Sequence, residues 1–448
     1  MTAPAVYRAH KCLLLFAALS VGMSCVISPP ARASERRFER QLDAGEARIL
    51  RVKPAVVTVF TEVSAEVTIR CGDKPPVQVT PDPVMENGTG FIIHPDGWIA
   101  TNGHVVKPVY ADDEEQISTF VQAGAELACS PLFSKLPESV KQERLKAIVN
   151  DPENRRGVKL TKKLWVDLAQ RLADGTPRLP YPAVVKAYSP PIDPDRLPKG
   201  GAKPDPPMLD AAIIKIAATN LPTVRLAPGI DYVHLGEELF IIGYPGVVLW
   251  HSFLSEVSRT EATVTFGRVS SFKRDINGRR ILQTDAAISW GNSGGPAFNG
   301  NDEVVGVATF ISTSLEGDQA IQGFNFLIPV DTILSLAEQA GVVPVSEGAF
   351  MQSWQAAVNA YFKGRFSTAL AQVEAAEKVT PDLLDVHLLR MHLEKILREH
   401  PSWDTERREI FGGAVAVALG GAIVIFCIGF GIRKIRKRKK LSGHLSAR

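Results

Sequence analysis

Metal-binding spacing is absent from this sequence, cysteine is scarce, and neither sign of charge dominates. No CxxC or HExxH spacing occurs, and five cysteines are spread over 448 residues, so a zinc site would lack its ligands. No metal and no organic cofactor is expected. Cys12, Cys25 and Cys427 fall in or beside apolar stretches near the ends, which leaves Cys71 and Cys129. These two form one disulfide in an oxidising compartment or remain two thiols, and spacing alone leaves both readings open. The formal net charge is only +3. Residues 433–448 supply eight Lys/Arg and residues 1–33 supply three, neither with an acid, so the stretch between them carries −8. An acidic body of this kind argues against nucleic-acid binding.

The ends carry what the body lacks. Arg8 and Lys11 precede the apolar run "CLLLFAALSVGMSCVI", and Ala31-Arg32-Ala33 follows as a small-x-small site. This pattern is that of a secretory signal over residues 1–33. Residues 410–432 hold no charge, and 23 residues suffice to cross a bilayer of about 30 Å. "RKIRKRKK" follows, so residues 433–448 are expected as a basic cytoplasmic tail, with everything between signal and span outside the cytoplasm. In bacterial terms this is a single-pass protein of the inner membrane with a periplasmic body. Gly412, Ala416 and Gly420 recur at four-residue spacing in the span, which permits close helix packing and a homo-oligomer.

Between about residues 44 and 342 run short segments rich in β-branched and apolar residues, among them "AVVTVF", "ELFIIGYPG", "EATVTFGRVSSF" and "EVVGVATFIS". Glycine, proline and Asn-Gly punctuation separates them, the pattern of an all-β barrel or sandwich long enough for two barrels. Residues 107–202 interrupt it. "LPESVKQERLKAIVN" and "LTKKLWVDLAQRLAD" space their apolar residues as helices do, and a proline-rich run follows, so a helical insertion with an extended return is predicted. Residues 350–400 read as a helix pair whose small and large positions loosely fit a tetratricopeptide unit.

The chemistry concentrates in three strings. "GNSGGPAF" holds Ser293 between glycines; taken alone it is either a nucleophile on a strained turn or an ordinary glycine turn. "GTGFIIHPDGWIATNGHVV" places His104 just after a strand and turn. "MLDAAIIKI" sets Asp210 at the mouth of a strongly apolar strand, where a carboxylate needs a partner and an imidazole would serve.

With "ILQTDAAISWGNSGGPAF" and "GFNFLIPVD", these strings resemble, in order, the HtrA/DegP-like branch of the chymotrypsin-fold serine peptidases, from about residue 55 to residue 333 apart from the insertion. The order His, Asp, Ser is that of chymotrypsin-like enzymes. The resemblance implies a mainly β fold of two antiparallel six-stranded β-barrels. It makes His104, Asp210 and Ser293 the catalytic triad and the amides of Gly291 and Ser293 the oxyanion hole. Ala287 stands six residues before the serine where enzymes cutting after Lys or Arg carry an acid, so a pocket of Ala287, Ile288, Phe324 and Phe326 is expected to prefer an apolar side chain. Asn292 stands where digestive enzymes carry the aspartate that pairs with a new amino terminus, which argues against activation by propeptide cleavage. Two departures stand out: no PDZ segment follows the peptidase region, and the stretch between His104 and Asp210 is longer than the family norm.

The expected function is that of a membrane-anchored, extracytoplasmic serine endopeptidase acting on protein or peptide substrates in envelope protein quality control. The competing expectations are a catalytically silent or gated adaptor that uses the peptidase and helical segments for protein binding, and a protease making one cut in a single membrane-proximal partner.

Overall fold

The computed structural model describes residues 44–110, 113–172, 174–191, 208–275, 278–309, 312–313, 320–321 and 323–406. The predicted signal, membrane span and basic tail lie outside them. Among the described residues no helix is long and apolar enough to cross a membrane. Residues 48–400 form one unit; of the second unit, 1–47 and 401–448, only 44–47 and 401–406 are described.

Two closed barrels follow from two sets of alternating strands. The first contains β1 (Val56–Ile69), β2 (Val77–Val79), β3 (Val84–His94), β4 (Trp98–Thr101), β5 (Val158–Asp167), β6 (Tyr181–Ser189) and β7 (Ala211–Ile216). Its order is β2-β1-β3-β4-β7-β6-β5, and pairing of β1 with β5 closes six strands into a ring with β2 as an outlying seventh. The second contains β8 (Arg225–Leu226), β9 (Glu238–Gly243), β10 (Thr263–Arg274), β11 (Arg280–Thr284), β12 (Pro296–Phe298), β13 (Glu303–Ala308) and β16 (Asn325–Pro329). Here β12–β13 pairing closes the ring β12-β9-β10-β11-β16-β13, while β8 joins outside it. The short strands β14 (Ser312–Thr313) and β15 (Ala320–Ile321) pair with each other. Closure removes the unpaired edges an open sheet would expose. One buried cluster, including Phe91, Ile213, Phe240, Phe298 and Ile333, draws on strands of both barrels. Phe240 and Phe298 stack within it at 5.0 Å.

The predicted insertion is smaller than residues 107–202. "LPESVKQERLKAIVN" does contain a helix, Glu138–Val149. "LTKKLWVDLAQRLAD" does not: it begins inside β5, whose side chains alternate between less and more exposed, and which pairs with β1 over ten residues, from Thr58–Asp167 to Val67–Val158. A long partner strand supplies a hydrogen bond for each backbone group, and tertiary pairing overrides the local helical spacing.

The helical layer proper is Glu114–Ala128, Glu138–Val149 and Pro152–Arg156. It covers the protruding end of β1: Val67, Ile69, Phe120, Val121, Leu145 and Ile148 are buried in one cluster. The buried side chain of Asn154 accepts from Arg70 N at 2.8 Å and donates to Ile148 O at 2.9 Å, tying layer to strand. Cys71 and Cys129, left open above, meet as a disulfide with a Cα–Cα distance of 5.5 Å.

The segment 350–400 is helical, but as three helices rather than two: Ala349–Phe362, Phe366–Val379 and Leu384–Glu399. They dock on the peptidase body. The fully buried indole of Trp354 donates to Leu50 O at 2.7 Å. Arg171 N donates to Asp382 O at 2.7 Å and Leu384 N to Ala169 O at 3.2 Å, an exchange of main-chain bonds with the segment after β5. Lys53, nearly buried, pairs with Asp385 at 2.9 Å and Glu261 at 3.1 Å. Burial works against its charge, but these two carboxylates outweigh it and raise the ammonium pKa.

The disulfide closes a separation of 58 residues, worth about 4 kcal/mol in the chain-entropy account. Replacing both cysteines by alanine is therefore expected to lower stability by that order in denaturant titration. Hydrogen exchange should show the loss first in residues 114–149, with the barrel strands still protected.

Candidate active site

Thr89, on β3 of the first barrel, holds the turn that carries Ser293. Its amide donates to Ser293 O at 2.8 Å, its hydroxyl donates to Gly291 O at 2.7 Å, and that same hydroxyl accepts from Tyr244 N at 2.9 Å. Thr101, at the end of β4, donates its hydroxyl to Thr89 O at 2.7 Å. The turn closes on itself and on β13, since Gly295 N donates to Asn292 O at 2.8 Å and Gly294 N to Ala308 O at 2.9 Å. Gly294 has φ +87°, and a side chain there would stand 1.9 Å from Thr89 O. Only glycine fits.

His104 follows directly from the end of β4 as the second residue of helix Gly103–Tyr110. A side chain at Gly103 would lie 2.2 Å from Ser189 O, so glycine is again needed for the helix to start against β6. Asp210 caps the entrance to β7 with φ +50° and no exposed surface. Its carboxylate takes three donors. His104 N reaches Oδ1 at 2.8 Å, the imidazole Nδ1 lies 3.0 Å from Oδ2 and 3.1 Å from Oδ1, and Thr309 Oγ1 donates to Oδ2 at 2.5 Å. Thr309 belongs to the second barrel, just beyond β13. With Nδ1–H donating to Asp210, the tautomer leaves Nε2 as an acceptor.

Burial pushes the His104 pKa down, but the charge of Asp210, its hydrogen bond and the more distant charge of Glu86 outweigh burial, and the net shift is upward. A raised value stabilises imidazolium against Asp210.

Gly88 shows how close the two halves come. The place a side chain would take there is 2.6 Å from Val105 Cγ2 and 3.1 Å from Ser293 O, so His104's neighbour and the serine turn flank one residue. Among the described residues no hydrogen bond joins Ser293 Oγ to His104. The amides of Gly291 and Ser293 likewise donate to no acceptor among the described residues, and Gly291 has φ +96°. Of the predicted pocket, Ala287 and Phe324 are exposed, Phe326 is part-exposed on β16, and Ile288 packs into the core of the second barrel. Thr89 and Thr309 went unnoticed in the sequence. Thr309 lies in the quoted "EVVGVATFIS", but a lone threonine after a strand gives no sign of a partner 99 positions away.

A direct check is NMR titration of the His104 ring. In the native protein its pKa should lie above the ordinary 6.5, and Asp210→Asn should drop it below that value, because burial then outweighs Glu86. The favourable contribution to stability is complete below about 6.5 and fades as pH rises through the raised folded value.

The trypsin-like peptidase domain family matches residues 88–307. A protein of Pseudomonas putida (strain W619) named as a DegP-like periplasmic serine endoprotease is 36% identical over 136 residues, covering 30% of this chain and 25% of its own. A Synechocystis protein named as the serine protease HhoB is 36% identical over 138 residues, 29% of each chain. The chain thus spans only a quarter to three tenths of the length of these relatives. Among solved structures, an HtrA-type protease, AlgW, with a decapeptide is 20% identical with a TM-score of 0.38, covering 66% of this chain and 67% of that one. The segment holding His104, Asp210 and Ser293 thus matches the trypsin-like peptidase domain family and is similar in sequence to DegP-like serine endoproteases.

Proposed function

We propose that this protein is a membrane-anchored, extracytoplasmic serine endopeptidase that hydrolyses peptide bonds through Ser293, His104 and Asp210. The observation that carries the reading is the buried Asp210 carboxylate bonded to His104 Nδ1 at 3.0 Å, beside a turn that presents Ser293.

In this mechanism His104 Nε2 takes the proton of Ser293 Oγ as the oxygen attacks the scissile carbonyl carbon. The amides of Gly291 and Ser293 receive the resulting oxyanion, and one such donor is typically worth about 10² to 10³ in rate. Asp210 stabilises the imidazolium, which then protonates the leaving amine, and water repeats the cycle on the acyl-enzyme. The absence of a hydrogen bond between Ser293 and His104 among the described residues fits a site in which that bond forms when substrate binds. Ala287, Phe324 and Phe326 favour an apolar residue on the acyl side of the cut. The name of the Pseudomonas relative, a DegP-like periplasmic serine endoprotease, supports an extracytoplasmic location; the role proposed for this chain is envelope protein quality control, and the sequence of the span supports the anchor and a homo-oligomer.

The absence of a Ser293–His104 hydrogen bond among the described residues, together with the docked three-helix segment, favours a second reading: a silent or gated adaptor that binds proteins without cutting them. The full-length chain in detergent separates the two. With an unfolded protein substrate and a fluorophosphonate probe, the peptidase reading expects labelling at Ser293 and cleavage, both reduced at least about 10⁴-fold by Ser293→Ala. Binding of the unfolded protein without labelling or cleavage by either form would establish the adaptor instead.

A further inference from the structure

The segment 244–255, "YPGVVLWHSFLS", carries no Asp, Glu, Lys or Arg, and neither does 286–301 around Ser293. Yet these segments expose large apolar side chains: Phe253 is 91% exposed, Trp290 68%, Val247 65% and Trp250 62%. Exposed aromatics gathered on two adjoining segments mark a contact surface rather than scattered surface residues.

The two segments are fastened together. Gly246 N donates to Trp290 O at 2.8 Å. A side chain at Gly246 would lie 3.7 Å from that same oxygen and 3.9 Å from Trp250 Cδ1, so the main chain of Trp290 and the Trp250 indole both flank Gly246. Beyond the segment, after the short helix Glu256–Arg259, Glu261 pairs with Lys53 at 3.1 Å and Thr260 Oγ1 accepts from Arg171 at 2.9 Å. Within this aromatic rim, buried Leu249 anchors the middle of the segment.

Its position selects its occupant. Trp290 directly precedes Gly291, so its Cα stands about 3.8 Å from that of the oxyanion turn. A substrate whose carbonyl rests on the Gly291 and Ser293 amides advances about 3.3 Å per residue when extended. Any such chain brings the side chains next to its scissile bond within reach of the rim. We propose that Trp290, Val247, Trp250 and Phe253 form an uncharged aromatic subsite for the substrate polypeptide beside the scissile bond, selecting large apolar residues within two or three positions of the cut. This rests on the serine-peptidase reading and adds to it a second determinant of substrate choice, separate from the Ala287 pocket.

The test uses the full-length protein in detergent and the double variant Trp250→Ala/Phe253→Ala, whose side chains are exposed and so removable without a cavity. Two extended octapeptides share the residues at the cut and differ only in flanks, Phe and Leu in one, Ser and Asp in the other. The native chain should prefer the apolar-flanked peptide, and the variant should lose roughly tenfold in kcat/KM on it, mainly through KM. The polar-flanked peptide and the rate of acylation by a small fluorophosphonate should be unchanged. Equal losses on both peptides, or none on either, overturn the proposal. Unchanged peptide kinetics with lost binding to lipid vesicles, or with lost self-association in sedimentation, also overturn it and give the rim to a membrane or a second copy. A native chain that does not react with the fluorophosphonate would instead fail the peptidase reading itself, an outcome visible before any peptide is compared.

Discussion

A carboxylate with no exposed surface governs the architecture of this site. Asp210 sits at the start of a strand of the first barrel, and it draws donors from His104 on the same barrel and from Thr309 on the second. An isolated buried charge would be prohibitive, so every one of these donors is required by the physics of burial before any chemistry is considered. The same bonds fix the imidazole tautomer and help register one barrel against the other. Thr89 does the complementary task from the opposite side, reaching from the first barrel to hold Gly291, Ser293 and Tyr244. The cleft is thus assembled from two rigid cylinders joined by a few short polar links.

Rigidity around the site is supplied by elements far from it. The three C-terminal helices bury Trp354 against Leu50 and exchange main-chain bonds with the segment after β5. Their Asp385 shares Lys53 with Glu261, six residues beyond the segment that bears the aromatic rim. The helical layer at 114–156 serves a different place, the protruding end of β1, where the disulfide and Asn154 fasten it.

The parts legible in the sequence were those written locally. The glycines around Ser293, the turn before β4 and the apolar strand after Asp210 each need particular residues at adjacent positions, and each was readable. Barrel strands with strict alternation were readable for the same reason. Segment 160–174 reads as helix because its apolar residues suit a helical period, and only the ten-residue partnership of β5 with β1 decides against it over 160–167. Thr89 and Thr309 act through hydroxyls on residues remote in sequence, so no local pattern announces them. Ile288 is expected from the sequence as a pocket residue, yet its side chain packs in the core of the second barrel. The third C-terminal helix was folded into a predicted pair because its boundary at 380–383 is set by docking rather than by glycine.

In the proposed peptidase the two barrels assemble one catalytic site through Asp210, and the bond from Thr309 crosses between them. The most direct measurement is the rate of Ser293 acylation by a fluorophosphonate in the native chain, Thr309→Val and Thr309→Ser. A hydrogen bond to a charged group is worth about 1.5–3 kcal/mol, so the valine variant should react roughly 10- to 150-fold more slowly and the serine variant close to the native rate. Acylation of the valine variant at the native rate would contradict the account.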